Sequence, residues 1–105
     1  MKSRRSKACD FSKKEREAII ERDSVNGRHC CIFCGNPSGL QIAHYIPRSS
    51  GGLGMRENGA CACIHCHGQL DSGSEIDRFQ MKDKFRKYLD KFYPFFTDEM
   101  RTYRK

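Results

Sequence analysis

The chain has 105 residues, room for one domain of ordinary size. Leu, Ile, Val and Phe supply only 19 of those residues, too few for a large apolar core, so another device must hold the fold. Lys and Arg exceed Asp and Glu by 20 to 13, a net charge of +7 that suits a polyanionic partner and equally a solubilising surface. No stretch approaches the length of apolar sequence needed to cross a bilayer, and no apolar segment follows the basic N-terminus as a secretory signal requires. A cytoplasmic setting is therefore expected, where seven cysteines, an odd number, point to metal binding rather than a disulfide framework.

In chain order, residues 1–10 read as a flexible basic arm whose Arg4 and Arg5 can touch phosphates without fixed structure, and residues 11–105 as a single domain. Ser12 and Glu15 have capping-box spacing and predict a helix from about Lys13 to Asp23, with Ala18 and Ile19 or Ile20 inward. Asn26-Gly27 breaks it. Short strands are expected around Cys30–Phe33 and Leu40–Ile46, joined through the Gly35-Asn36-Pro37 turn. Residues 49–54, Ser-Ser-Gly-Gly-Leu-Gly, read as an irregular loop. A short helix is expected from Cys66 to about Asp71. Ser74 caps a longer one in which Ile76, Phe79, Phe85, Leu89 and Phe92 form a stripe that reads as core-facing, against a base-stacking platform, and Pro94 stops it. Thr97 is placed to cap a last short helix reaching about Tyr103.

Cys31-Ile32-Phe33-Cys34 and Cys63-Ile64-His65-Cys66 form two CxxC pairs. A tight turn aims both sulfurs of such a pair to one side, so two pairs can surround one Zn2+ tetrahedrally. Cys30 and Cys61 flank the pairs and can in principle replace a member, but adjacent cysteines along a strand point opposite ways. Cys9 reads as a spare thiol. The 28 residues between the pairs exceed the 15–20 usual in compact zinc modules, so the gap carries an insert.

That insert contains His44-Tyr45-Ile46-Pro47-Arg48, then Gly51-Gly52, then Asn58 five residues before Cys63-Ile64-His65-Cys66-His67. In this order and spacing the segment 28–72 resembles the HNH endonucleases with paired zinc cysteines, a family common in bacteria and their phages. Over that segment the resemblance implies a small zinc-stapled ββα-metal domain; with the helices read on either side from their caps and periodicity, including C-terminal helices over 74–105, the expected fold class is α+β. The resemblance also implies a DNA phosphodiesterase in which His44 is the general base and Asn58 orients that histidine and its loop. By the same resemblance, His67 binds a catalytic divalent cation (Mg2+, Mn2+, Ni2+ or Zn2+) distinct from the structural zinc. Independently, hydrolysis of a phosphodiester calls for a base titrating near neutrality and a cation for the developing charge.

One departure stands out. Many family members have a metal-binding Asp or His immediately before the base, where this chain has Ala43. Asp71, four residues after His67 on a helix, is the candidate second ligand, against a capping role. Arg48 is a candidate phosphate contact, against a solvated-surface role, and the Lys82–Lys91 helix face can flank a duplex. His67 can alternatively replace Cys66 on zinc, and His29 and His65 read as surface residues. Two competing readings follow: a catalytically inactive zinc-stabilised nucleic-acid-binding module, and a zinc-ribbon-like adaptor for another protein.

Overall fold

The computed structural model describes residues 3–104. Its first element, α1 (Arg4–Cys9), lies where the sequence suggested an unstructured arm. Ser3 caps it, its Oγ accepting from the Ser6 amide at 3.1 Å, and Cys9 at its end is buried. The helix is too short to stand alone. It holds because the Gly54 amide donates to the Ala8 carbonyl at 2.9 Å and Arg48 reaches Asp10 and Ser6. Residues 1 and 2 of the expected arm lie outside the described residues.

Helix α2 (Lys13–Arg22) starts as the cap predicts, the Ser12 Oγ accepting from the Glu15 amide at 3.2 Å. The reciprocal half of the box does not form, because the Glu15 carboxylate turns to Arg56 and accepts from its amide, Nε and Nη2. Ile19 is fully buried. The following Asn26-Gly27, both with positive φ, turn a two-residue hairpin of β1 (Ser24–Val25) and β2 (Arg28–His29). The strand expected around Cys30–Phe33 is instead a tight turn, the Gly35 amide donating to the Cys31 carbonyl at 2.9 Å. Only a turn brings both sulfurs of the pair to one side.

The centre of the fold is an antiparallel hairpin of β3 (Leu40–His44) and β4 (Gly59–Cys63), which runs directly into α3 (Ile64–Ser72). Leu40 pairs with Cys63 at one end and His44 with Gly59 at the other, roughly 13 Å apart at the usual rise per strand residue. Helix α3 begins earlier than expected because Cys63 is its N-cap, its sulfur accepting from the Cys66 amide at 3.4 Å. Helix α4 (Glu75–Phe92) follows the Ser74 cap as predicted.

The stripe along α4 is core only in its second half. Phe85 and Leu89 are fully buried with Ala43, Tyr45, Ala60 and Leu70, while Phe92 is half-exposed and Ile76 and Phe79 stand in solvent. After α4 the chain forms turns rather than the expected last helix, although the Thr97 hydroxyl does accept from the Met100 amide. Buried polar groups make up for the small core. Asp23, almost fully buried, accepts from Arg22 at 2.7 Å, from the Tyr88 hydroxyl at 2.6 Å and from the Cys61 amide at 2.8 Å. Arg22 also donates to the Arg56 and Gly59 carbonyls, tying α2 to the loop before β4.

Candidate functional site

At the Cys63 end of the hairpin the four sulfurs of Cys31, Cys34, Cys63 and Cys66 lie within 4.8 Å of one another. A tetrahedral zinc with Zn–S bonds of about 2.3 Å needs sulfurs about 3.8 Å apart, and Cys34 and Cys63 are 3.7 Å apart. The donor set fits one soft cation. The other cysteines stay out of it: Cys30 donates from its sulfur to the Asp23 carbonyl at 3.4 Å, and burial pushes the Cys61 thiol up to about 12. Within the cluster the Cys66 amide and the neighbouring sulfurs hold Cys63 down to about 7, whereas burial pushes Cys66 up. Four crowded thiols cannot all ionise by themselves. A dication is what makes such a set of charges tolerable.

At the opposite end of the hairpin an open cleft of about 690 Å³ is lined by His44, Arg48, His67, Asp71, Arg78 and Lys82 among others. His44 closes β3. Its Nε2 lies 2.8 Å from the Cys9 carbonyl oxygen, which can only accept, so Nε2 carries the proton and Nδ1 keeps its lone pair. Phe11 packs on the ring with centroids 4.4 Å apart. Burial lowers the pKa of His44 below the usual imidazole value, and the nearby charge of Arg48 acts in the same direction.

His67 and Asp71 stand one turn apart on α3, rotated away from Cys66, which faces the sulfurs. The amide oxygen of Gln41 accepts from His67 Nδ1 at 2.7 Å, and His67 Nε2 lies 3.2 Å from Asp71 Oδ2, close enough to donate to it when no cation stands between them. Adjacent ligands on a divalent cation, each about 2.1 Å from it, stand about 3 Å apart, so this pair fits two positions of one ion. Asp71 caps nothing. It sits in the last turn of α3, where the helix dipole opposes a carboxylate, a placement that a cation would offset. Ala43 is fully buried in the core and offers no ligand. Among the described residues the one cluster of three or more converging Cys, His, Asp or Glu ligand atoms is the cysteine set, so protein ligands in the cleft are sparse.

Asn58 does not line the cleft. Fully buried behind it, its Oδ1 accepts from the Ile46 amide at 2.8 Å and its Nδ2 donates to the Leu53 carbonyl at 2.9 Å and the Ile46 carbonyl at 3.2 Å. These bonds pin both ends of the loop that carries Pro47, Arg48 and Ser49. Gly52 completes the closure, since a Cβ there would stand 1.7 Å from the Ile46 oxygen. Arg48 is half-exposed on the cleft wall, with its Nη atoms on the Asp10 carboxylate and on Ser6. Arg5 donates to the Ser49 carbonyl at 3.1 Å and Arg4 is exposed, both away from the cleft.

Four contributors were missed in the sequence: the Cys9 carbonyl, Phe11, Gln41 and Arg78. A main-chain acceptor leaves no mark in a sequence, and Gln41 alternates along β3 like any exposed polar residue. Arg78 was the legible one, four residues before Lys82, which opens the helix face already expected to flank a duplex.

The fold and site thus define a small α+β domain with a cysteine cluster able to hold a metal ion at one end of a ββα unit and a histidine cleft at the other. Residues 31–73 match the model of the HNH endonuclease family, so the resemblance read from the motifs is found over that segment. Among solved structures the chain is similar to the Type IV phosphorothioation-dependent restriction endonuclease ScoMcrA, with a TM-score of 0.51 and 17% identity. The likeness covers 77% of this chain and 20% of that one, and at this identity it speaks for the fold. Comparison with curated proteins gives no match. No helix among the described residues is long and apolar enough to cross a membrane.

Proposed function

We propose that this chain is a metal-dependent HNH-type endonuclease that hydrolyses DNA phosphodiester bonds, with structural zinc on Cys31, Cys34, Cys63 and Cys66. The observation that carries this reading is the state of His44: Nε2 is committed to the Cys9 carbonyl, Nδ1 is free, and both His67 and Asp71 line the same cleft.

In this reading His44 Nδ1 takes a proton from water as the water oxygen bonds to phosphorus. The bond from phosphorus to the 3′ oxygen breaks, that oxygen keeps the electron pair and takes a proton from solvent, and a 5′-phosphate and a 3′-hydroxyl result. Proton transfer is favoured because the Cys9 carbonyl stabilises the imidazolium that forms. His67 Nε2 and Asp71 hold a catalytic divalent cation (Mg2+, Mn2+, Ni2+ or Zn2+), which when bound supplies charge stabilisation for the phosphate and the departing oxygen. Gln41 fixes the His67 tautomer that presents Nε2. Asn58 acts through the loop, holding Arg48 where it meets a phosphate. Arg78 and Lys82 face the same strand from α4, and Arg4 and Arg5 extend the basic surface. With contacts to the backbone dominating, sequence preference is weak and binding falls steeply with salt.

The alternative, a catalytically inactive zinc-stabilised nucleic-acid-binding module, draws on Ala43, which removes one ligand position and leaves two. A plasmid-nicking assay across Mg2+, Mn2+, Ni2+ and Zn2+ separates the two. The endonuclease reading expects cutting that His44→Ala slows by about 10²–10⁴-fold with zinc content unchanged. Salt-sensitive binding without cutting under any metal establishes the alternative, and a His44→Ala protein that cuts as well as wild type overturns the base assignment.

A further inference from the structure

Helix α4 carries one apolar stripe in two different environments. Phe85 and Leu89 are fully buried, but Ile76 is 69% and Phe79 73% exposed where the same helix passes the cleft. Leaving a phenylalanine in water forgoes about 1.5–3 kcal/mol of burial, which a flat ligand covering the ring would recover. Phe79 lines that cleft between Arg78 and Lys82, across from His44 and Arg48. Cations interleaved with a flat apolar ring match a ligand that alternates phosphates with aromatic faces. A protein partner fits poorly: two side chains bury a few hundred Å², well below the roughly 1,200 Å² of a stable interface.

We propose that Phe79 is a stacking subsite for a nucleobase next to the phosphate held in the cleft. DNA with exposed bases, single-stranded or locally opened, is then preferred to fully stacked duplex. The inference rests on the endonuclease reading for the identity of the cleft.

The test uses the zinc-loaded full chain and oligonucleotides carrying 2-aminopurine, as single strand and as duplex. Cleavage is measured with Mn2+ in wild type, Phe79→Ala and Phe79→Trp. Base stacking is measured by 2-aminopurine quenching in the His44→Ala background. Wild type is expected to cut the single strand about tenfold faster than the duplex, Phe79→Ala to lose that advantage, and Phe79→Trp to keep it. Quenching is expected to follow the same order. Equal single-strand cleavage and equal quenching in Phe79→Ala and wild type overturn the subsite, as does a wild-type dimer that Phe79→Ala converts to monomer. Absence of cleavage on every substrate refutes the endonuclease reading alone, because quenching that depends on Phe79 still supports the subsite and quenching that does not still overturns it.

Discussion

The two ends of the β3–β4 hairpin both gather side chains of the kinds that ligate metals, yet they differ in how those groups are supported. At the Cys63 end, four sulfurs converge within 4.8 Å of one another, and the Cys63 sulfur also caps α3. Removing one group there takes away a metal ligand and, at Cys63, a helix start. At the His44 end the side chains face an open cleft, and their support comes from elsewhere: the Cys9 carbonyl, the Gln41 amide and the loop tied by Asn58. On the proposed reading the first end, with zinc bound, holds the chain together. The second is held in position by the chain and is open to a ligand, so the two should respond differently to the same kind of damage.

The largest effect expected is at the sulfur end. A structural zinc contributes on the order of 10 kcal/mol to folding, more than this small core can replace. Cys31→Ser, or chelation of the metal, should abolish the cooperative thermal transition seen by circular dichroism. A folded, metal-free protein would erase the contrast. At the cleft end His44→Ala should cut about 10²–10⁴ times more slowly, the usual range for a lost general base, while Tm and zinc content hold.

Between these extremes lies Asn58→Ala. It leaves the buried Ile46 amide and Leu53 carbonyl without their partner, at a cost of about 2–4 kcal/mol. A lower denaturation midpoint with zinc retained is the expected result, together with slower cutting as the Arg48 loop loosens. Gly54→Ala tests the N-terminal support. A Cβ at Gly54 would stand 2.2 Å from the Asp10 backbone and would push the segment carrying the Cys9 carbonyl away from His44. Nitrogen NMR of the imidazole should then show a mixture of tautomers in place of the Nε2-protonated form, with cutting reduced several-fold.

The smallest effect is on pH. Burial favours neutral His44, so its folded pKa lies below the usual imidazole value. A protonated base cannot accept a proton, so the acid limb of the rate profile should fall below pH 6.5, and the limb should vanish in His44→Ala. Stability follows the same sign. The contribution of neutral His44 is complete above the unfolded pKa and is lost as pH falls through the folded one.

Much of this contrast was legible in the residues, but unevenly. The cysteine spacing marked the sulfur end because a tetrahedral site constrains local sequence. The caps at Ser12 and Ser74 were readable for the same reason, being decided within one helical turn. Strand β4 was not, since Gly-Ala-Cys-Ala-Cys has none of the β-branched or aromatic residues that signal a strand, and its pairing with β3 decides its conformation. Helix α1 was read as a solvated arm because its charges say nothing of the Gly54 and Arg48 contacts that dock it. The stripe on α4 was read as uniform core because periodicity identifies a face without saying where along the helix the core ends. His44 and His67 were visible through their motif, whereas the groups that set their tautomers come from α1 and β3, outside it.

Mn2+ titration of the zinc-loaded chain, followed by electron paramagnetic resonance with zinc measured in parallel, tests the two-centre account most directly. The account predicts one bound Mn2+ per chain, lost in His67→Ala, with one zinc retained throughout. Mn2+ that displaces the zinc, or that binds equally well without His67, would contradict it.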